Sequence, residues 1–343
     1  MTDTSAPPLP ARPERPDTGW PDGWFEQVGT CLYCGGEDLS PCVSGVQDWF
    51  FSAVPGAFAL ARCDNCSSLV LTRRPDPDHI ALAYRSYYTH TPADSAPATA
   101  NPAKQVARWL APFYERARHG ASSSVVDHAL GSILHLAPHY CTDIDAKLRF
   151  LPARSATVLD YGCGNGDFLS RAAALGHRAK GVDFDADAVA AATARGLDII
   201  QTHAIDEAEF CGAFDLVTAS HVLEHVADPV DLLTCFARWL KPAGKVYIEL
   251  PNAEAAGLAK YGPFWRGLEA PRHFGIPSLA GLERAFAKAG LRLEFQSAKS
   301  YAVRELWGHS QAARNAHPDL PAYRDEVREL GGTEVLICVA GKA

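Results

Sequence analysis

From Val158 onward, short apolar runs and amphipathic stretches alternate along the chain. Val158 and Leu159 lead into Asp160, and three glycines follow at alternate positions, Gly162, Gly164 and Gly166. This order predicts a strand, a tight loop whose backbone passes close to a ligand, and a helix from Asp167 to Leu175. The unit then repeats. Arg178–Asp183 predicts a second strand, Asp185 caps a helix over Ala186 to Arg195, and Gly196 stops it. Leu197–Gln201 and Phe214–Ser220 predict the third and fourth strands. Asp228 and Pro229 open a helix that runs to Leu240, ahead of the turn Lys241-Pro242-Ala243-Gly244 and the strand Lys245–Leu250. Leu291–Ser297 and Thr333–Ala340 read as two more strands, joined by a connection that predicts a short helix and a flap. Strands and helices in alternation make this half of the chain α/β.

Upstream the pattern changes. Residues 1–27 are rich in proline and poor in apolar side chains, the composition of a disordered tail. Residues 28–75 contain Cys31-Leu32-Tyr33-Cys34 and Cys63-Asp64-Asn65-Cys66, with Trp49, Phe50, Phe51 and Phe58 between them. Two Cys-x-x-Cys pairs on turned backbone offer four thiolates to one cation, the closed shell of structural zinc (Zn2+), so this segment predicts a small zinc-ribbon-like module. Cys42 and the other five cysteines lack such spacing and read as small packing residues. Residues 76–150 show helical periodicity around 78–88, 102–118 and 124–149 and predict a helical linker or lid ahead of a domain over 151–343.

Bulk properties narrow the function. The net charge is -8 and the sequence holds no basic stripe, which argues against a phosphate-binding face for nucleic acid. No apolar run reaches about eighteen residues, so no membrane span is expected. The N-terminal stretch shows no basic-then-apolar signal pattern, so export is not expected, and reduced thiols suit a cytoplasmic protein.

The glycine loop alone suits NAD, FAD, a nucleotide or S-adenosylmethionine. Asp167 stands where a dinucleotide loop would still await its last glycine, which disfavours the first two. Asp183 ends the second strand about twenty residues after the loop begins, within reach of the ribose hydroxyls of an adenosine. Together with Phe214-Asp215-Leu216-Val217, Leu223-Glu224-His225-Val226 and Leu240-Lys241-Pro242-Ala243-Gly244, the series resembles the class I S-adenosylmethionine-dependent methyltransferases over roughly residues 151 to 343. The resemblance implies a Rossmann-like seven-stranded sheet with helices on both faces and an antiparallel seventh strand. It implies cofactor contacts by Asp160, Tyr161, Gly162, Cys163 and Gly164 at the methionine end. Asp183 would hold the ribose, Phe184 would pack on the adenine, and the Ser220 backbone would meet the amino group. His203, Ala204 and Ile205 would lie along the adenine edge. A cysteine module ahead of such a domain, with Pro271-Arg272-His273-Phe274 after the fifth strand, is similar to bacterial enzymes that methylate activated sugars, polysaccharide precursors or secondary metabolites.

Methyl transfer to oxygen needs the acceptor deprotonated, and a histidine near neutrality suits that role. His221, Glu224 and His225 stand at i, i+3 and i+4 beneath the expected methyl group. His225 oriented by Glu224 is one arrangement. A second metal on His221, Glu224 and His225 is another, since some quinone O-methyltransferases hold a divalent ion on Glu-x-x-Glu-His, where this chain has His221 first. His273 is a further base candidate, Arg272 a candidate anchor for an anionic acceptor, and Tyr87 and Tyr88 candidate covers for the methionine end. The expectation is a methyltransferase for a small-molecule acceptor, most simply a hydroxyl. RNA methylation with a zinc recognition module, transfer to carbon or nitrogen, and a non-catalytic partner protein are the alternatives. A homodimer is left open.

Overall fold

The computed structural model describes residues 19–85, 102–298, 300–318 and 334–343. In the first part, short strands β1 (Phe25–Gln27), β2 (Leu39–Val46), β3 (Phe58–Cys63), β4 (Leu69–Leu71) and β5 (Arg73–Pro75) follow one another. β2, β3 and β4 pair antiparallel, while β1 and β5 form a separate ribbon. The expected tail ran to residue 27, yet Asp22–Gln27 already forms a turn and a strand. The reason is aromatic burial: Phe25 lies 6.0 Å from Trp20 and 6.1 Å from Phe58, ring to ring. Residues 1–18 of that tail, and Tyr87 and Tyr88, lie outside the described residues.

Helices α1 (Pro102–His119), α2 (Val125–Ser132) and α3 (Pro138–Lys147) come next. The periodicity over 124–149 is broken into two helices. α2 starts in a capping box between Ser124 and Asp127, and Pro138 opens α3 at a position where its missing N–H costs nothing.

The larger part runs β6 (Thr157–Tyr161), α4 (Asp167–Ala174), β7 (Arg178–Asp183), α5 (Ala186–Ala194), β8 (Asp198–Gln201), α6 (Glu207–Phe210), β9 (Phe214–Ser220), α7 (Pro229–Trp239), β10 (Leu240–Pro251), α8 (Ala256–Tyr261), β11 (Gly275–Ile276), α9 (Leu279–Lys288), β12 (Leu291–Ala298), α10 (Ser300–Asn315) and β13 (Val335–Lys342). Seven of these strands form one sheet in the order β12-β13-β10-β9-β6-β7-β8. Six run in the same direction, and β13 alone is reversed, antiparallel to both of its neighbours β10 and β12. The expected Rossmann-like α/β sheet with its antiparallel closing strand is therefore present. Val158, Leu159, Val182, Val217 and Ile248 are wholly buried in its centre, as parallel strands covered on both faces require.

Two local expectations shift. Lys241–Gly244 is not a turn outside the sheet but an irregularity within β10, because Leu240 already pairs with Phe214 before Lys245 resumes against Leu216. The connection after β12 is a helix of 16 residues, α10, rather than a short helix. Among the described residues no helix is long and apolar enough to cross a membrane.

β11 has an unexpected partner. It pairs with β4, so a two-residue strand from far downstream completes the N-terminal sheet in the order β11-β4-β3-β2. Cys31, Tyr33, Cys63, Cys66 and Val70 share one hydrophobic core with Leu159 and Val217. The cysteine segment and the large sheet are thus packed as one body.

Candidate functional site

The site is built where the parallel strands end. The three loop glycines all have positive φ, 73° at Gly162, 51° at Gly164 and 77° at Gly166. A side chain at Gly162 would meet Val222 at 2.5 Å and one at Gly166 would meet Leu197 at 2.4 Å, but nothing lies within 4 Å above Gly164. The outer two glycines let neighbouring elements close up; the middle one leaves a seat open. Asp183 ends β7 beside that seat. Its carboxylate accepts the Gly164 N–H at 2.7 Å and the Asp185 N–H at 3.0 Å, and each oxygen keeps a further lone pair. Burial pushes its pKa up while those amides pull it down, and the net shift is upward.

Phe184 is 62 % exposed, and its ring sits edge-on to Tyr84 at 5.4 Å. The turn Thr202–Ala204 carries His203 and Ala204 on the surface, and the Thr202 hydroxyl donates to the Asp183 carbonyl at 3.2 Å. Ile205, just beyond, packs partly into the core. Tyr161 and Cys163 point elsewhere. The Tyr161 ring packs on Phe236 and Trp239, and the Cys163 thiol is buried with Leu169 and Ile199. Their side chains serve the core, leaving only main chain for a ligand.

Asp160 is fully buried. One oxygen pairs with Arg149 and accepts from the Thr218 hydroxyl at 2.8 Å, while Oδ2 is a buried acceptor without a hydrogen-bond partner. Burial raises the Asp160 pKa, against the charge of Arg149. Arg149 was not singled out from the sequence, and a basic residue after a helix gives no local signal. The fold brings its guanidinium over the Phe168 ring at 4.2 Å. Arg149, Phe168, Ser220, His221 and Glu249 line an open cleft of about 460 Å³. The seat above Gly164, the orphan oxygen of Asp160, the open lone pairs of Asp183 and the bare face of Phe184 fit a ligand with a cationic amine, vicinal hydroxyls and a flat base. S-adenosylmethionine has those three parts.

His221 follows β9 with φ of 57°, a left-handed backbone that costs a β-carbon-bearing residue about 1–3 kcal/mol. Its N–H donates to the Glu249 carbonyl at 2.7 Å. The side chain is 46 % exposed on the cleft, with Nδ1 at 3.1 Å from Glu224 and Nε2 at 3.8 Å from Glu249. Burial raises the Glu224 pKa, but the His221 hydrogen bond and the charges of His221, His225 and His273 outweigh it and hold Glu224 below the carboxylate range.

His225 and His273 sit deeper, their rings edge-on at 4.6 Å. Nδ1 of His225 lies 3.0 Å from the Tyr84 hydroxyl and 3.2 Å from the Arg272 carbonyl; Nδ1 of His273 lies 2.8 Å from the Gly267 carbonyl. A carbonyl only accepts, so both rings carry their proton on Nδ1. Glu224, His225 and His273 have ligand atoms within 4.8 Å of one another, while His221, grouped with Glu224 and His225 from spacing, touches Glu224 from the cleft side. Tyr84 thus touches both Phe184 and His225.

Burial, with His225 beside it, pushes the His273 pKa down to about 4. An unfolded histidine titrates near 6.5, so between these values the unfolded chain takes a proton that the folded one refuses. The stability present above pH 6.5 is then expected to fall by up to about 3 kcal/mol on acidification to pH 4. Urea unfolding of wild type and His273→Asn at pH 7 and pH 4 checks this. Equal losses in the two proteins would reject it.

Arg272 is not available to an acceptor. Its guanidinium is wholly buried, paired with Asp48 and Glu269 and donating to the Ala83 carbonyl at 3.0 Å. A local motif shows a free arginine; the carboxylate that takes it lies in another module. The four paired cysteines do converge. Sγ of Cys31 and Cys66 are 3.6 Å apart, those of Cys34 and Cys63 3.5 Å, and all four lie within 4.8 Å. A tetrahedral shell with metal–sulfur bonds of about 2.3 Å has edges of about 3.8 Å, so the set fits one thiolate-bound cation. The hydrogen bond from Cys31, with help from Ser68, lowers the Cys66 pKa to about 4.

Residues 133–295 match a family described as a methyltransferase domain. The ubiquinone biosynthesis O-methyltransferase of Xanthomonas oryzae pv. oryzae (strain PXO99A) is 34% identical over 124 residues, 33% of this chain and 52% of that protein. The protein of the same name from Caulobacter vibrioides is 38% identical over 120 residues, 32% of this chain and 48% of that one. The chain spans about half the length of these curated relatives, and the family match over 133–295 lies downstream of the cysteine segment. Over residues 133–295, which carry the glycine loop and Asp183, the chain is thus similar to the methyltransferase domain family.

Proposed function

We propose that the protein methylates a hydroxyl group of a small molecule, with His221 as the base. S-adenosylmethionine, when bound, supplies an electrophilic methyl group. Gly164 would admit its methionine part, with Oδ2 of Asp160 accepting from the ammonium group. Asp183 would hold the ribose hydroxyls and Phe184 would cover one face of the adenine. The observation that carries the choice of base is exposure: His221 stands half-exposed on the cleft, between two buried carboxylates. Glu224 holds the Nδ1 proton and turns Nε2 toward an acceptor, and Glu249 steadies the positive charge formed as Nε2 takes the hydroxyl proton. The names of the relatives make polyhydroxylated aromatics the first acceptors to test.

Zinc on Cys31, Cys34, Cys63 and Cys66 would be structural, since four sulfurs leave no place for water. We infer no nucleic-acid partner from a net charge of -8.

His221→Ala is expected to lower kcat about 100-fold while S-adenosylhomocysteine affinity stays within about three-fold. Methyl transfer to a catechol acceptor and calorimetry measure the two. An unchanged kcat would end the role of His221; a wild-type protein that ignores the cofactor product would end the whole reading.

A further inference from the structure

The segment from Tyr261 to Ser278 holds only two short 3-10 turns and the two-residue β11 between stretches of irregular backbone, yet nearly all of it is buried. Buried irregular backbone needs partners from outside itself. Here they come from the N-terminal module. Asp48 is 3 % exposed and 224 residues upstream of Arg272, and its carboxylate meets the guanidinium in a bidentate pair. Asp48 is itself fixed by the N–H groups of Phe51, Ala53 and Val54, so a rigid loop presents the charge. The Phe51 ring covers the guanidinium at 4.3 Å.

What Arg272 carries explains why this matters. Its own carbonyl takes the Nδ1 proton of His225, and two residues on, the Phe274 N–H donates to the Glu224 carbonyl at 2.6 Å. Glu224 in turn orients His221. Asp48 is therefore three contacts away from the imidazole on the cleft and touches no part of the cleft.

We propose that Asp48 is a positioning residue for methyl transfer: by clamping Arg272 it sets the Arg272–Phe274 main chain, and through it Glu224, His225 and His221. The N-terminal module is then a working part of the site. The inference rests on His221 as the base, and extends that reading to a residue outside the matched methyltransferase domain.

Asp48→Asn keeps the size of the side chain but sets an amide or a neutral oxygen against the guanidinium. In the full-length, metal-loaded protein it is expected to lower kcat at least ten-fold. S-adenosylhomocysteine affinity and bound zinc should stay at wild-type levels. The His225 Nδ1 proton, followed by NMR in histidine-labelled protein, should exchange at least ten-fold faster with solvent. If Asp48→Asn does not fold, the double variant Asp48→Asn with Arg272→Gln removes both buried charges and is expected to show the same kcat loss. Wild-type kcat in whichever variant folds, while His221→Ala remains impaired, overturns the clamp and spares the base. Wild-type kcat in His221→Ala overturns the base. Loss of cofactor affinity in step with kcat would mark Asp48 as merely structural and also overturn the proposal.

Discussion

Stripping the metal from the four cysteines, or replacing Cys63 by serine, is expected to cost the protein far more than its N-terminal module. Cys63 is wholly buried at the end of β3, and its three partners stand on two knuckles with little regular structure to hold them. Without the proposed cation, four sulfurs that lie within 4.8 Å of one another would lack the ion that organises them. A structural zinc shell contributes about 10–16 kcal/mol in small domains, comparable to the whole stability of an ordinary protein. The loss would not stay local. Tyr33, between Cys31 and Cys34, donates to the Gly275 carbonyl at 3.0 Å, and β4 holds β11 on the far side of the same sheet. Freed knuckles release Gly275, the neighbour of Phe274, and with it the backbone that orients Glu224. The thermal midpoint is expected to fall by at least ~10 °C, given about 2–4 °C per kcal/mol in a chain of this class. Scanning calorimetry of native, chelated and Cys63→Ser protein, with metal analysis of each, makes the comparison. An unchanged midpoint in metal-free protein, or purified protein without zinc, would refute the structural role.

The parts of this architecture legible in the sequence are those set by neighbours in the chain. β6, the glycine loop and α4 follow from a few adjacent residues, because alternation, positive φ and helix starts are local demands. Asp183 was legible because the spacing from the loop is fixed by one strand–loop–helix unit. The cysteine pairs were legible because each knuckle is local, even though the closing of the set is not. Arg272 was misread for the opposite reason. Nothing near it announces that Asp48 will take its charge, and a buried bidentate pair looks in sequence like a surface cation. Arg149 and the contacts of Tyr84 were hidden in the same way, since their partners Asp160 and His225 lie on other elements. The β10 irregularity shows the converse: Lys241–Gly244 has turn chemistry, but pairing of Leu240 with Phe214 draws the segment into the strand. Histidine spacing pointed to His221, Glu224 and His225 but could not show that His273 lies beside them, because His273 comes from a loop that β4 holds in place.

Asp183→Ala is expected to remove cofactor binding almost completely. The carboxylate lies at the end of β7, flanked in the sheet by β6 and β8, where strand pairing fixes its position before any ligand arrives. It has two tasks. Toward the protein it accepts the Gly164 N–H at 2.7 Å and so pins the open glycine of the loop. Toward a ligand it offers the remaining lone pair of each oxygen, a match for two vicinal hydroxyls. A hydrogen bond to a charged group contributes about 1.5–3 kcal/mol, so two of them amount to roughly 3–6 kcal/mol, or about 10²–10⁴ in affinity. Loosening of the loop adds to that loss. Asp183→Asn should fall between, since one oxygen still accepts while the new amide opposes the Gly164 N–H. Titration calorimetry with S-adenosylhomocysteine gives the three affinities, and the heat-unfolding midpoint shows whether the variants remain folded. If folded Asp183→Ala binds within three-fold of wild type, the ribose is held elsewhere and the placement of the cofactor proposed for this cleft is wrong.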